Sequence, residues 1–193
     1  MPHRIAIATE GPSDKAILET ICGRAGFQAT ASWAGGKGAL FKSFDKMLKV
    51  LEVTFRPTHF LVVADLHPDL DCSVEAKHWR KEVKRRFPAA RMCLCVWEVE
   101  AWLLADPRPV ADMLDKDGFT HSNPDKVGDP PPSEVLEQLF HERLGYHGGA
   151  TYHKEADGKT LAERMNLEAA ASSSPSLAHF MREIRTRQEH LNP

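Results

Sequence analysis

Two carboxylates each stand directly after an apolar run. Glu10 follows Ile5-Ala6-Ile7-Ala8-Thr9 and precedes Gly11-Pro12-Ser13-Asp14, where a helical pattern opens. Asp65 follows Phe60-Leu61-Val62-Val63-Ala64 and leads into Leu66-His67-Pro68-Asp69-Leu70-Asp71. The carboxyl ends of strands are where open α/β sheets keep their chemistry. Two acids on neighbouring strand ends repel unless a cation sits between them, and their oxygens are the hard donors that Mg²⁺ or Mn²⁺ prefers. The candidate metal set is therefore Glu10, Asp65, His67, Asp69 and Asp71. His67 as a ligand shifts the preference toward Mn²⁺, because imidazole is a poor magnesium donor. Asp69 and Asp71 on their own read as ordinary loop acids. Glu98 and Glu100, after a further run ending at Trp97, share one side of an extended chain or diverge if a helix starts between them; either can supply a third carboxylate.

Positive charge is placed close to these acids. Gly35-Gly36-Lys37-Gly38 is not a Walker loop, since Ala31 stands where its first glycine belongs and no Ser or Thr follows Lys37, but Lys37 can still meet a phosphate as a point charge. From Lys77 to Arg91 there are seven basic residues against one acid, Glu82. Two readings carry equal weight: a solvated helix face, or a stripe that positions a phosphodiester, with Lys81, Lys84 and Arg85 on its exposed side. His141, His147 and His153 lack helical zinc spacing and read as surface.

The elements that must position these groups follow from periodicity. Residues 3 to 9 form a buried strand and Ser13 caps a helix carrying Ile17, Leu18, Ile21 and Cys22. Phe27 to Trp33 returns as a strand, a helix follows the glycine turn with Leu40, Phe44, Met47, Leu48 and Leu51 on one face, and His59 to Ala64 is the third strand. Ser73 caps a basic helix whose Trp79, Val83 and Phe87 face inward, and Arg91 to Trp97 is a fourth strand running into a short buried helix. Alternation of this kind predicts an α/β fold with a mostly parallel sheet of about four strands and right-handed crossovers. Residues 1–106 are expected to form this core, with 107–193 a helical C-terminal extension packed on it. Helices are expected over Ser133 to Leu144, Thr160 to Ala171 with a Thr160-x-x-Glu163 capping box, and Ser176 to Leu191. The loops Asn123 to Pro132 and Gly145 to Gly158 are expected to be mobile or to lie over the site.

The composition narrows the class. With 193 residues, 42% of them hydrophobic, and a formal charge of −2, the chain can bury a core but exerts no global pull on polyanions. Cys22, Cys72, Cys93 and Cys95 have no metal or redox spacing and read as reduced packing residues. No leader is visible and no apolar run nears the ~20 residues of a membrane span, so the expected location is cytoplasmic.

Glu10-Gly11-Pro12-Ser13-Asp14 and Asp65, each after its strand, resemble the Toprim domain of topoisomerases, DnaG-type primases and overcoming-lysogenization-defect (OLD) nucleases. Gly35-Gly36-Lys37-Gly38, Asp71-Cys72, Glu100-Ala101-Trp102-Leu103-Leu104-Ala105-Asp106, and Tyr152-His153-Lys154 leading to Asp157-Gly158-Lys159 resemble, more narrowly, the Toprim-like domain-of-unknown-function 4276 group, over about residues 5 to 180. The resemblance implies Glu10 as general acid/base, a metal-holding Asp65, and catalytic parts for Glu100 and Lys154 in a Mg²⁺- or Mn²⁺-dependent nuclease acting on DNA or RNA. It also implies a place in a mobile-element defence module beside a partner ATPase subunit, and a homodimer is compatible with it. One position departs: His67 stands where the second Asp of the Toprim Asp-x-Asp belongs. Either Asp69 or Asp71 substitutes, or His67 binds a softer metal, or catalysis is lost and the chain is a regulatory or interaction subunit. A phosphoacceptor receiver domain fits less well, because a receiver needs paired acids after its first strand.

Overall fold

The computed structural model describes residues 3–66, 72–115, 130–144 and 151–186. Four strands, β1 (Arg4–Thr9), β2 (Gln28–Trp33), β3 (His59–Leu66) and β4 (Ala90–Val96), form one parallel sheet in the order β2-β1-β3-β4. Helices α1 (Pro12–Arg24), α2 (Lys37–Phe55) and α3 (Cys72–Arg86) make the crossovers. From β1 the chain steps outward to β2 and then back across to β3. The order of the sheet therefore reverses between β1 and β3, and the crevice outside their carboxyl ends is the place where such sheets bind ligands.

The alternation of side chains along each strand divides the interior into two layers. Ala6, Ala8, Phe60, Val62, Ala64, Leu66, Met92 and Leu94 face α2 and α3. Ile5, Ile7, Leu61, Val63, Cys93 and Cys95 face α1, which is too narrow to cover β3 and β4 as well. The remainder of that face is closed by α4 (Glu100–Leu104), α5 (Pro107–Leu114), α6 (Pro132–Leu144), α7 (Ala156–Arg164), α8 (Leu167–Ser173) and α9 (Pro175–Arg185). Leu136, Phe140, Leu161, Met165, Leu177, Phe180 and Ile184 join the same apolar cluster as the strands. Trp102 is fully buried there, its ring 5.0 Å from Phe180 and its indole N–H donating to Ser176 Oγ at 2.8 Å. Cys22, Cys93 and Cys95 are free and buried, as packing residues should be.

Several boundaries differ from expectation for local reasons. The third strand runs on through Asp65 to Leu66, because Asp65 and Leu66 still pair with Cys95 and Val96. Ser13 is not the cap of α1: Gly11 holds that place, and Asp14, three residues on, accepts the Gly11 N–H at 2.8 Å. The second helix begins at Lys37, and the turn before it is confined to Ala34 through Gly36. Thr160 caps nothing; it lies inside α7, with its hydroxyl donating to the Ala156 carbonyl. The helix expected over Thr160 to Ala171 is broken after Arg164, where Met165 is extended and Asn166 accepts from the Glu168 and Ala169 amides to start α8. Ser174, not Ser176, caps α9. Of the two loops expected to cover the site, Pro132 begins α6 and Ala156 to Gly158 open α7, while 123–129 and 145–150 lie outside the described residues.

Gly158 shows how tightly α7 is held against α1. A Cβ there would stand 3.0 Å from Ile17 Cδ1 and 3.1 Å from the Tyr152 hydroxyl oxygen. Both neighbours are buried, and the Tyr152 ring is wedged against Phe140 at 5.3 Å. Alanine gains about 1 kcal/mol in helix propensity. Overpacking a site with no room costs about 1–3 kcal/mol. Gly158→Ala is expected to lower the urea midpoint; an increase would mean that α7 can move off α1 freely.

Candidate functional site at the β1/β3 crevice

Glu10 is fixed from both its backbone and its side chain. Its carbonyl accepts the N–H groups of Gly35 and Gly36, each at 2.9 Å, and Ala34 N–H reaches the Thr9 carbonyl at 3.1 Å. This clasp needs φ of 87° at Gly35 and 113° at Gly36, which side chains rarely allow. The Gly-Gly-Lys-Gly stretch thus serves as a clamp on the catalytic candidate. The Glu10 side chain crosses the crevice, and its Oε1 accepts the Asp65 N–H at 2.9 Å. Burial raises the Glu10 pKa, the Asp65 amide and Lys37 oppose that rise, and Asp14 adds to it.

Asp65 points to the α1 side of the sheet, sharing its face with Leu61 and Val63. A strip of it stays accessible, yet surrounding atoms crowd it enough that burial pushes its carboxyl well above the ordinary range. Asp14, Glu10, Glu100 and Glu98 push it further, in that order. Asp14 is 7% exposed and held by Thr9 Oγ1 at 3.1 Å and the Gly11 amide; its pKa too is raised, chiefly by burial.

The fourth strand delivers the remaining acids. Trp97, just after β4, is in the left-handed region at φ 67°, a strained conformation for a bulky residue, and its N–H donates to the Leu66 carbonyl at 2.9 Å. The chain leaves the sheet there and starts α4 at Glu100, which is 3% exposed. Burial and then Glu98 lift the Glu100 pKa to about 7, against the opposing charge of Lys154. Glu98 turns instead to α6, accepting the Ser133 N–H at 3.0 Å.

The structure thus gathers Glu10, Asp65 and Glu100 into one acidic neighbourhood, with Lys37 and Lys154 within its field. His67, Asp69 and Asp71 lie outside the described residues. Among the described residues, no group of three or more His, Cys, Asp and Glu side chains is arranged to hold a metal ion. Two members were not singled out from sequence. Asp14 was visible only as the end of the Glu10 motif, and its capping position three residues after Gly11 was the available signal. Glu75, whose Oε1 meets Lys37 Nζ at 2.7 Å across α2 and α3, had no signal, since the pair spans 38 positions of sequence.

The basic helix is less free than its composition suggests. Arg85 pairs with Glu82 at 2.6 Å, while Arg86 pairs with Asp45 of α2, lies over the Phe44 ring and donates to the carbonyls of Phe41 and Lys42. The stripe is therefore partly compensated. Lys77, Arg80, Lys81 and Lys84 remain exposed. Because α3 runs back from the carboxyl edge of the sheet, Lys84 lies about 18 Å along the helix axis from its start at Cys72.

Taken together, the open parallel sheet, the reversal between β1 and β3 and the acids gathered outside it define a doubly wound α/β protein with an acidic cluster at its switch point, the place where such sheets bind ligands. The family described as "Domain of unknown function (DUF4276)" matches residues 9–185, and the chain belongs to it. No curated protein matches the chain. Among solved structures, the C-terminal region of the Xanthomonas campestris pv. campestris OLD protein is similar with a TM-score of 0.46 and 15% identity, over 97% of each chain.

Proposed function

We propose that this chain is a Toprim-like nuclease that cleaves phosphodiester bonds with the help of Mg²⁺ or Mn²⁺. The observation that carries the reading is the set of inward-held acids, Glu10, Asp14, Asp65 and Glu100, whose pKa values are all raised at one switch-point crevice. Buried acids raised in this way are poised for proton transfer or for a cation. Their order along the chain also matches the Toprim resemblance of Glu10 and Asp65. The donor chemistry fits a hard cation, which Asp65 would hold with one or more of His67, Asp69 and Asp71, leaving Glu10 to handle protons or to hold a second cation. When bound, such an ion supplies polarisation of the phosphate and a lowered pKa for water.

The protein's own groups have separable tasks. Glu10, fixed by the Asp65 amide and the two glycine amides, takes or gives a proton at its carboxylate. Glu100 is protonated below about pH 7 and can donate. Lys37 and Lys154 offer positive charge to a phosphate at the crevice mouth. A cytoplasmic location, a partner ATPase and a homodimer belong to the same reading; no helix among the described residues is long and apolar enough to cross a membrane.

The second reading is a regulatory or interaction subunit that keeps the fold without catalysis, favoured by His67 standing where the second Asp of the Toprim pair belongs. Incubation of the protein with single- and double-stranded DNA and RNA in Mg²⁺ or Mn²⁺ separates the two. Cleavage is expected, and Glu10→Gln should reduce it by about 10²–10⁴-fold. Asp65→Asn should abolish Mn²⁺-induced stabilisation in thermal melts while leaving the metal-free protein equally or more stable, because a repelling charge has been removed. A folded protein that neither cleaves nor is stabilised by Mn²⁺ would establish the regulatory reading.

A further inference from the structure

Trp33 is the last residue of β2, at the carboxyl edge of the sheet, and it is 50% exposed. The other tryptophans are withdrawn: Trp79 and Trp102 are at most 2% exposed, and Trp97 is partly buried in its turn. Nothing in the fold requires an indole on an edge strand, where an exposed aromatic is an aggregation hazard. Its register partner on β1 is Thr9, the residue before Glu10. Thr9 lies level with Val63 on β3, extending the pairing of Ala8 with Val62. Two strand spacings sideways and two residues onward place the Trp33 Cα about 12 Å from that of Asp65. Both side chains are on the α1 side of the sheet, Trp33 in line with Ala31 and Asp65 with Val63.

The indole forms one wall of a cleft of about 460 Å³ that also has Pro12, Lys15 and Thr20 of α1 and Glu155 and Lys159 at the start of α7. Lys15 and Lys159 each have an acid four residues on, Glu19 at 4.0 Å and Glu163 at 3.7 Å. Exposed pairs of that length hold a side chain weakly, so both ammonium groups can turn to a phosphate. Glu19 and Glu155 in the cleft oppose a high density of negative charge, which disfavours a duplex with its two phosphate rows. A flat aromatic face and two adaptable lysines lining an open cleft suit one unpaired nucleotide.

We propose that Trp33 is a stacking platform for a nucleobase, and that the substrate of the crevice is single-stranded nucleic acid, or an unpaired end, which passes from Trp33 over the start of α1 to Glu10 and Asp65. This rests on the nuclease reading and adds strand form to it. The indole face receives the base, and Lys15 and Lys159 meet the flanking phosphates.

The test is binding of a fluorescein-labelled oligothymidylate and of a labelled duplex to the full chain, in EDTA so that no cleavage intervenes, for the wild type, Trp33→Ala and Trp33→Phe. The single strand is expected to quench tryptophan emission in the wild type. Trp33→Ala should bind it about 5- to 100-fold more weakly, Trp33→Phe should recover most of the loss, and duplex affinity should not change. Equal single-strand binding by the wild type and Trp33→Ala overturns the platform and leaves the nuclease reading intact. Equal losses for duplex and single strand overturn the strand preference. If the wild type binds neither nucleic acid, platform and nuclease reading fall together, and self-association that quenches Trp33 would then assign the indole to a second copy of the chain.

Discussion

A chain ended at Asp106 should not fold. The cut leaves the whole sheet and its three crossover helices intact, yet it removes Leu136, Phe140, Leu161, Met165, Leu177, Phe180 and Ile184 from the cluster that covers the α1 side of β3 and β4. Burying a side chain of this size contributes about 1.5–3 kcal/mol. Seven together exceed about 10 kcal/mol, comparable to the entire stability of an ordinary domain. The same cut exposes Cys93, Cys95, Leu61 and Val63, and leaves the Trp102 N–H without Ser176. The 1–106 fragment is expected to bind a hydrophobic dye and to show no cooperative urea transition. A sharp transition with native-like circular dichroism would show instead that the α/β half is an autonomous unit.

The metal-free protein should lose stability as the pH rises from about 4.5 to about 7. Glu100 is the group that sets the range: its carboxyl is lifted to about 7 by burial and by Glu98, whereas an unfolded Glu titrates near 4.3. The folded state therefore holds a proton that the unfolded state has released, and stability declines across that window. The shift corresponds to about 3 kcal/mol. Glu10, Asp14 and Asp65, all raised, act in the same direction. Asp45 and Asp106 are lowered by Arg86 and Arg108, so their contributions are present above the unfolded Asp value and are lost only as the pH falls below it. Urea melts in EDTA at pH 5 and pH 8 read this directly. Glu100→Gln should reduce the slope, leaving the part due to Glu10, Asp14 and Asp65, and exceed the wild type at pH 8. A wild type that gains stability toward pH 8 would mean that Lys154 outweighs burial and keeps Glu100 ionised.

Much of this was legible in the amino-acid order. The four strands and the three crossover helices follow from short apolar runs alternating with helical periodicity, and the placement of Glu10 and Asp65 at one edge follows from parallel pairing. What could not be read depends on contacts distant in sequence. Arg86 looks like one more charge on a basic stripe until α2 brings Asp45 and Phe44 beneath it. Asp65 sits inside the third strand rather than after it because β4 pairs with it to Leu66, an extension no local pattern encodes. Thr160-x-x-Glu163 has the spacing of a helix start, but Asn166 makes the better one, and His153 N–H has already been taken by Asp157 where α7 opens. Trp33 was read only as the end of a strand, since exposure on an edge is a property of the finished sheet.

The two-layered core also dictates what happens on the ribosome. The first strand made, β1, ends in the interior of the sheet, and the last helix, α9, packs on the last strand. Once β4 has emerged, roughly 90 more residues must be translated before α9 is complete, about 5–18 s at ordinary elongation rates. During that interval the part of the sheet that α1 does not cover presents Leu61, Val63, Cys93 and Cys95 to water. Holding chaperones bind surfaces of this kind, and a cell that makes this protein must shield a half-built molecule for nearly half of its synthesis.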